Sequence, residues 1–294
     1  MVAILLSVSA WIVTSSTAGA TLQVSRADTA TCRMLGELVR LPDLPEASGI
    51  AASRTRPGVL WAHNDSGPPI IVALDQRGAI KGRVRLVGAK VDDWEDIAVG
   101  PCPQGLCVYV GDIGDNRGRR QRITIYRTVE PSPDATASQP VEAFHATYPD
   151  GPHDAESLFV TPAGEVFIVT KGDPGSVAIY RFPLRSGSAT LERVGEPLTT
   201  KAGPKDRPTG ADSSPDGQWI AVRTASWIAF YAAAEFTSGR WRESFRYDLE
   251  SVHEPQGEGV TFGDDGTIYL VGESGGKAGG GTFVRLACAL APVR

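Results

Sequence analysis

The sequence predicts an all-β chain folded as a five-bladed β-propeller, and three observations support this prediction. A unit of two short strands joined by a glycine-centred turn occurs five times along the chain. In every copy the second strand ends seven residues after the turn glycine. The copies begin 47, 61, 53 and 49 residues apart, which is close to the spacing of four-stranded propeller blades.

The last copy shows the unit most clearly. Its two apolar strands, Gly259 to Phe262 and Ile268 to Val271, flank Asp265-Gly266, a pair typical of tight hairpin turns. A polar residue precedes the first strand of each copy, and we call it the lead residue. The lead residues are Ser48, Glu95, Glu156, Thr209 and Glu258. The matching turn glycines are Gly58, Gly105, Gly164, Gly217 and Gly266.

The gaps between copies hold the outer strands of the first four blades. These strands are Ile70–Leu74 and Lys81–Leu86, Ile123–Arg127 and Ala143–Tyr148, Ala178–Phe182 and Leu191–Pro197, and Trp227–Tyr231 and Glu243–Tyr247. The fifth copy is followed by one more strand, Thr282 to Leu286. We expect Met34 to Leu41, from the N-terminal end, to complete that blade with four antiparallel strands. A ring closed in this way leaves no open sheet edge.

Composition and the N-terminal residues bear on the class of protein. The chain has 294 residues and a net charge of −5 without a basic tract at either end, which argues against a nucleic-acid partner. Val2 to Val13 is apolar but too short to span a membrane, and Ala18-Gly19-Ala20 fits a signal-peptidase site. No basic residue precedes Arg26, so a short buried strand is the alternative. We expect residues 1–20 to be a signal peptide and residues 21–294 to form one secreted or periplasmic, monomeric domain without a membrane span.

Four cysteines would remain in the exported chain. An even number favours disulfides, with three possible connectivities, whereas four free thiols would fit a chain that is not exported. Closure of the ring places Cys32 beside the N-terminal strand and Cys288 after the last strand, and Cys102 and Cys107 flank the turn of the second copy. We therefore expect Cys32–Cys288 and Cys102–Cys107 bridges.

The lead residues should meet at the propeller axis, because the first strand of each blade lines it. Three carboxylates in a narrow, desolvated channel repel one another unless they share protons, stay hydrated or bind a cation. Oxygen ligands of this kind suit Ca²⁺. We expect a calcium site formed by Ser48, Glu95, Glu156, Thr209 and Glu258, with Asp212 replacing Thr209 if the register slips. The alternative is a solvated channel mouth without a metal.

The second strand of each copy returns to the same face of the ring. Its end brings Asp65, Asp112 and Lys171 to that face, with Arg223 beside them. Lys171 and Arg223, together with a cation, would hold a small anionic group such as phosphate. His153 is a candidate general base, although adjacent Asp154 should point the opposite way on an extended segment.

The order of the lead residues, hydroxyl, Glu, Glu, hydroxyl, Glu, resembles the central ring of the secreted calcium-activated nucleotidases, or apyrases. This resemblance implies a five-bladed propeller with a central calcium that hydrolyses nucleoside di- and triphosphates. Thr209 stands where that family has serine. Trp61-Ala-His-Asn-Asp-Ser, Asp93-Trp-Glu-Asp-Ile-Ala and Tyr109-Val-Gly-Asp-Ile-Gly-Asp-Asn also resemble segments of an uncharacterised group of exported bacterial propellers, which implies no function.

Two function classes follow from these expectations. The first is a calcium-dependent hydrolase of phosphate esters or anhydrides, with Lys171, Arg223, Asp65, Asp112 and His153 as candidate catalytic residues. The second is a non-catalytic propeller that binds a ligand or protein and contains a structural calcium. The propeller fold does not decide between them, because it carries many functions.

Overall fold

The structure, a computed structural model, describes residues 30–172, 176–198, 203–276 and 279–290. These residues form an all-β, five-bladed propeller of antiparallel blades, as the repeat predicts. The predicted signal peptide lies outside the described residues. In the described part of the chain, no helix has the length and apolar character that crossing a membrane requires.

Two strands come first in the described chain, followed by the strands of blades 1 and 2. The first two are β1 (Thr31–Met34) and β2 (Val39–Leu41). Blade 1 contains β3 (Ala47–Ala52), β4 (Val59–Asn64), β5 (Ile70–Asp75) and β6 (Ile80–Val87). The next strands are β7 (Trp94–Cys102), β8 (Gly105–Asp112), β9 (Ile123–Val129), β10 (Ala137–Pro140) and β11 (Glu142–Thr147). Blade 2 comprises β7, β8, β9 and β11, while β10 pairs in parallel with the outer edge of blade 1.

The remaining blades follow the same order. Blade 3 contains β12 (Ala155–Val160), β13 (Val166–Thr170), β14 (Val177–Phe182) and β16 (Glu192–Leu198). The short strand β15 (Ser188–Thr190) precedes β16 in the chain and pairs in parallel with β11 at the outer edge of blade 2. Blade 4 contains β17 (Gly210–Ser213), β18 (Trp219–Arg223), β19 (Trp227–Ala232) and β20 (Glu243–Asp248). Blade 5 contains β21 (Gln256–Phe262), β22 (Thr267–Glu273) and β23 (Gly281–Ala289). The short helices in the described chain are Pro204–Asp206, Ala233–Phe236 and Glu250–Val252.

The hydrophobic core is divided among the five junctions between neighbouring blades. Strand β8 shows how: Tyr109 packs against blade 3, whereas the next residue, Val110, packs against blade 1. Successive side chains of a strand point to opposite faces, so an inner strand needs apolar residues at every position. The innermost strands β3, β7, β12, β17 and β21 contact one another in sequence around the axis and back to β3.

The N-terminal segment closes the ring, as predicted, but as two strands rather than one. Both β1 and β2 pair antiparallel with β23, on either side of an interruption at Gly36. Gly36 has a positive φ of 76°, a conformation that suits glycine and ends the regular extended backbone. The outer strand of blade 5 therefore comes entirely from the N-terminal side of the chain.

Both expected disulfides are present. Cys32 and Cys288 face each other across β1 and β23 and are bonded, and Cys102 is bonded to Cys107 across the turn of blade 2. The described chain has no free cysteine. The first bridge joins residues separated by 256 positions, and the second joins residues separated by 5.

Candidate functional site

In four of the five blades, the first strand is irregular at its lead residue. The register between first and second strands shifts around the lead residue in blades 1, 2, 3 and 5. Such a bulge places an extra residue in one strand and redirects its side chain. Blade 4, which carries Thr209, pairs without a register shift over the four residues of β17.

Three buried carboxylates meet at the axis. Oxygens of Glu95 from blade 2 and of Asp154 and Glu156 from blade 3 all lie within 4.8 Å of one another. We call this group the axial acid cluster. The sequence predicted that Glu95 and Glu156 converge, and the structure brings them together. Asp154, which the sequence reasoning treated as a neighbour of His153, joins them because it lies two residues before Glu156.

Glu258, the lead residue of blade 5, extends the acidic surface at the axis. Its side chain is buried, and Gln256 donates a 2.8 Å hydrogen bond to its Oε1 atom. Its Oε2 atom is buried and has no hydrogen-bond partner in the structure. Burial raises the pKa of Glu258 well above its ordinary value, and the Glu156 carboxylate raises it further. A buried carboxylate oxygen without a donor is a strong candidate for a cation ligand.

Lys171 supplies positive charge within the axial acid cluster. Its Nζ atom contacts Glu156 Oε1 and lies 3.7 Å from Asp154 Oδ2. Burial alone would lower the pKa of Lys171, but Glu156 and Asp154 outweigh burial and raise it above its ordinary value. The side chain keeps 23% of its surface exposed, so it connects the cluster to the face of the ring.

The loop after β8 covers the cluster with backbone rather than with a side chain. A Cβ atom at Gly114 would lie 2.1 Å from Glu95 Oε1 and 2.6 Å from Asp93 Oδ2. Arg120 fixes this loop by donating to the Gly114 carbonyl at 2.7 Å. Glycine is therefore required for the close approach of this loop to the two carboxylates.

The two hydroxyl lead residues join neighbouring blades. Ser48 Oγ donates to the Glu95 carbonyl at 2.6 Å, and Thr209 Oγ1 donates to the Gly257 and Glu258 carbonyls at 3.0 and 3.1 Å. Each hydroxyl oxygen still has acceptor lone pairs. Their role as metal ligands stays a prediction.

Below the cluster, two more carboxylates occupy the axis. Asp96 accepts backbone hydrogen bonds from Ile97 in its own strand, Leu158 in blade 3 and Ala211 in blade 4, at 2.9, 2.9 and 3.3 Å. Asp212 accepts hydrogen bonds from Thr261 and Phe262 in blade 5 and pairs with Arg54 at 3.5 Å. Asp212 was predicted to replace Thr209 as a metal ligand if the register slips. In the structure its carboxylate instead forms contacts between blades.

A second group of acids lies at the junction of blades 5 and 1. Burial, followed by the neighbouring Glu46 carboxylate, raises the pKa of Asp65 to about 6. Burial and Asp65 raise the pKa of Glu273 to about 7. Asp65 Oδ1 is buried without a hydrogen-bond partner in the structure. These two groups titrate close to neutral pH, as acid–base catalysts do.

Asp112 and His153, two further candidate catalytic residues, lie in different environments. Asp112 is buried and pairs with Arg120 at 2.7 Å. His153 contacts Asp150 and Tyr180, with its Nε2 atom 3.1 and 3.2 Å from their oxygens. The structure thus places His153 in a polar cluster apart from the axial acids.

Arg223 lies inside the protein rather than at the face. Its side chain has an exposure of 0%, pairs with Glu254, and donates to the Gly259 and Val271 carbonyls at 2.7 and 2.6 Å. The side chain therefore stabilises the contact between blades 4 and 5. The guanidinium group is directed towards protein acceptors and is not presented to a ligand at the face.

The raised pKa values predict the pH dependence of stability. Burial raises the pKa of Glu156 to about 7 in the folded protein. A carboxyl group whose pKa is raised by folding stabilises the fold below its unfolded pKa, and this contribution disappears as the pH rises through the folded pKa. We expect the chelator-treated protein to become less stable from about pH 4.5 to about pH 7. Thermal unfolding across this range tests the expectation, which a steadily rising melting temperature would contradict.

Comparisons with known proteins address the fold. No protein-family model matches the chain, and no curated protein matches its sequence. The structure is similar to the PQQ-bound aldose sugar dehydrogenase from Streptomyces coelicolor, with TM-score 0.52 and 12% identity over 89% of this chain and 99% of that chain. It is also similar to a glucose dehydrogenase, with TM-score 0.50 and 11% identity over 85% and 99% of the two chains.

A gluconolactonase from Xanthomonas campestris, XC5397, gives a lower TM-score of 0.46, with 11% identity over 90% of this chain and 99% of that chain. At these identities the similarity to the two dehydrogenases shows the propeller fold alone. These neighbours are not apyrases, so the resemblance to the calcium-activated nucleotidases depends on the ring residues.

Proposed function

We propose that this chain is an exported calcium-binding propeller whose axial face hydrolyses small phosphate esters or anhydrides. The observation that carries the metal proposal is the convergence of Glu95, Asp154 and Glu156 within 4.8 Å, beside a buried Glu258 oxygen without a partner. Ser48 and Thr209 are the proposed hydroxyl ligands. The two disulfides support export, because such bonds persist in oxidising compartments.

The donor set fits calcium better than a transition metal. All proposed ligands are carboxylate or hydroxyl oxygens, which suit Ca²⁺, whereas nitrogen and sulfur ligands would favour zinc or copper. The carboxylates come from blades 2, 3 and 5, and calcium accepts the irregular geometry that such a set of oxygens provides. Gly114 supports the same interpretation, because the absence of a side chain there leaves space for the Glu95 and Asp93 carboxylate oxygens.

The hydrolase proposal depends on the groups around the cluster. A bound calcium would supply a Lewis acid for a phosphoryl oxygen. Lys171 contacts the cluster, is partly exposed and would bind the negative charge of the ligand. Asp65, with a pKa of about 6, is mostly ionised at neutral pH and would accept a proton from an attacking water. Arg223 and Asp112 would stabilise the walls of the site.

A non-catalytic propeller with a structural calcium is the second candidate. The acidity of the face favours it, because Glu46, Asp65 and Glu273 would repel a phosphate that approaches the axis from that side. In this case the ion would neutralise the axial acids and stabilise the ring, and the face would bind a ligand or protein without turnover.

Calcium addition tests both candidates together. We expect calcium, but not equal ionic strength of sodium, to bind the chelator-treated protein in calorimetry. At about 100 times the dissociation constant it should stabilise the fold by about 2.7 kcal/mol and raise the melting temperature by roughly 5 °C. No heat of binding and no thermal shift would contradict the metal site.

Phosphate release separates the two candidates. Nucleoside triphosphates and aryl phosphates should be hydrolysed with calcium and not with chelator. Calcium binding without turnover of either substrate class would favour the non-catalytic candidate and contradict the hydrolase.

A further inference from the structure

Lys171 occupies the position that a cation at the axis requires. Its ammonium group contacts Glu156 Oε1 and lies 3.7 Å from Asp154 Oδ2, and both residues belong to the axial acid cluster. The oxygens that bind the ammonium group are therefore those that would bind the metal. Two cations within a few ångströms repel each other strongly in a poorly hydrated site.

The way in which Lys171 is held allows its side chain to move while its backbone stays in place. The Lys171 backbone N–H donates to the Asp154 carbonyl at 2.9 Å, which anchors the residue at the end of the second strand of blade 3. The long side chain, with 23% of its surface exposed, already reaches from the cluster to solvent. A change of side-chain rotamer suffices to move the ammonium group from the axis to the face.

We propose that Lys171 is an internal counter-ion that competes with calcium for the axial carboxylates and, once displaced, binds the anionic ligand at the face. Without the metal, its charge compensates the buried carboxylates of Glu156 and Asp154. With the metal bound, the ammonium group turns to the face. Calcium and the anionic ligand therefore bind with positive coupling.

This inference rests on the proposed calcium site and adds a specific partner for the metal within the chain. It also explains why one lysine lies among so many acids. Removal of the lysine should have opposite effects on the two ligands, because the competitor for calcium and the donor for the anion are the same group. A purely structural lysine would not produce this pair of effects.

The experiment compares wild type with Lys171→Met, Lys171→Arg and the control Lys90→Met. Lys90 is an exposed lysine in the loop that leads into blade 2, and its replacement by methionine removes the same charge from the protein. Calcium titration calorimetry on chelator-treated protein should show about tenfold tighter binding for Lys171→Met and little change for Lys90→Met. Circular dichroism in calcium verifies that each variant is folded.

Phenylphosphonate, a non-hydrolysable analogue of a phosphate ester, reports on the second ligand. In saturating calcium it should bind wild type and Lys90→Met, and bind Lys171→Met at least about tenfold more weakly. Lys171→Arg should retain phenylphosphonate binding, since it keeps the charge. Acetylation footprinting by mass spectrometry should show more labelling of Lys171 in wild type with calcium than with chelator, and equal labelling of Lys90.

The outcomes separate the two proposals. Calcium binding to wild type with equal or weaker binding to Lys171→Met would overturn the competition while leaving the metal site intact. Undiminished phenylphosphonate binding to Lys171→Met would overturn the ligand role. Absence of calcium binding in wild type and in Lys171→Met would overturn the proposed metal site and this inference with it.

Discussion

The Glu156→Gln variant should lose calcium binding by at least about 100-fold, together with any calcium-dependent phosphate release. Glutamine preserves the size of the side chain but removes a negative charge from the centre of the axial acid cluster. Calcium affinity depends strongly on the number of charged oxygen ligands. Glu156 also binds Lys171, so its loss alters the counter-ion as well. Titration calorimetry, followed by phosphate-release assays, measures both effects.

Glu165→Gln is the matched control for this variant. Glu165 lies in the same blade, is exposed and pairs with Arg181 at 3.3 Å, next to the turn at the opposite end of the inner strands. Its replacement removes the same charge without touching the axis, and calcium affinity should change less than about twofold. Equal calcium affinities for Glu156→Gln and wild type would exclude Glu156 as a ligand.

Removal of the Cys32–Cys288 bridge should give the largest loss of stability. The bond closes a loop of 256 residues across the seam of the ring, and loss of its constraint on the unfolded chain costs at most about 5.5 kcal/mol. The double variant Cys32→Ser/Cys288→Ser should therefore unfold at a markedly lower guanidinium concentration. The strands β1 and β2 should separate from β23 first, because the bridge joins β1 directly to β23.

The Cys102→Ser/Cys107→Ser variant is the internal comparison. Its bridge spans 5 residues, so the same relation gives about 2 kcal/mol. Equilibrium unfolding of the two double variants and wild type, in parallel, measures the difference. Equal losses in both variants would show that ring closure does not depend on the long-range bond.

Most of the fold could be predicted from the sequence because the same physical unit is repeated. Counting from Gly266 fixed the register of all five copies, and the turn glycines have positive φ values of 85, 118, 80, 69 and 77°. The edge strands Ala137–Pro140 and Ser188–Thr190 were not predicted. They add to the blades through parallel backbone pairing, which leaves little apolar pattern in the side chains.

The site was predicted only in part, since the repeat identifies one residue per blade. Asp154 and Asp93 lie two positions before Glu156 and Glu95, and residues separated by two share a face of an extended strand. The motif Asp-x-Glu in blades 2 and 3 was therefore the available signal for the additional carboxylates.

Arg223 illustrates the opposite error. It stands one residue before Thr224, the predicted end of the second strand, so its side chain points to the other side of the chain from the Thr224 side chain. Only the three-dimensional contacts show that Glu254 and two carbonyl groups surround it. The positive charge of an arginine in the sequence gives no information on whether it is buried with its own partners.

The carboxylates of Asp96 and Asp212 lie on the side of the axial acid cluster that is away from the face. They connect blades 2, 3, 4 and 5 through hydrogen bonds below the acid cluster. In the proposed calcium site, an ion that enters from the face would bind above these linked carboxylates and leave through the same face. A ligand bound above the ion would trap it, and release would follow a fixed order in which the last molecule to enter is the first to depart.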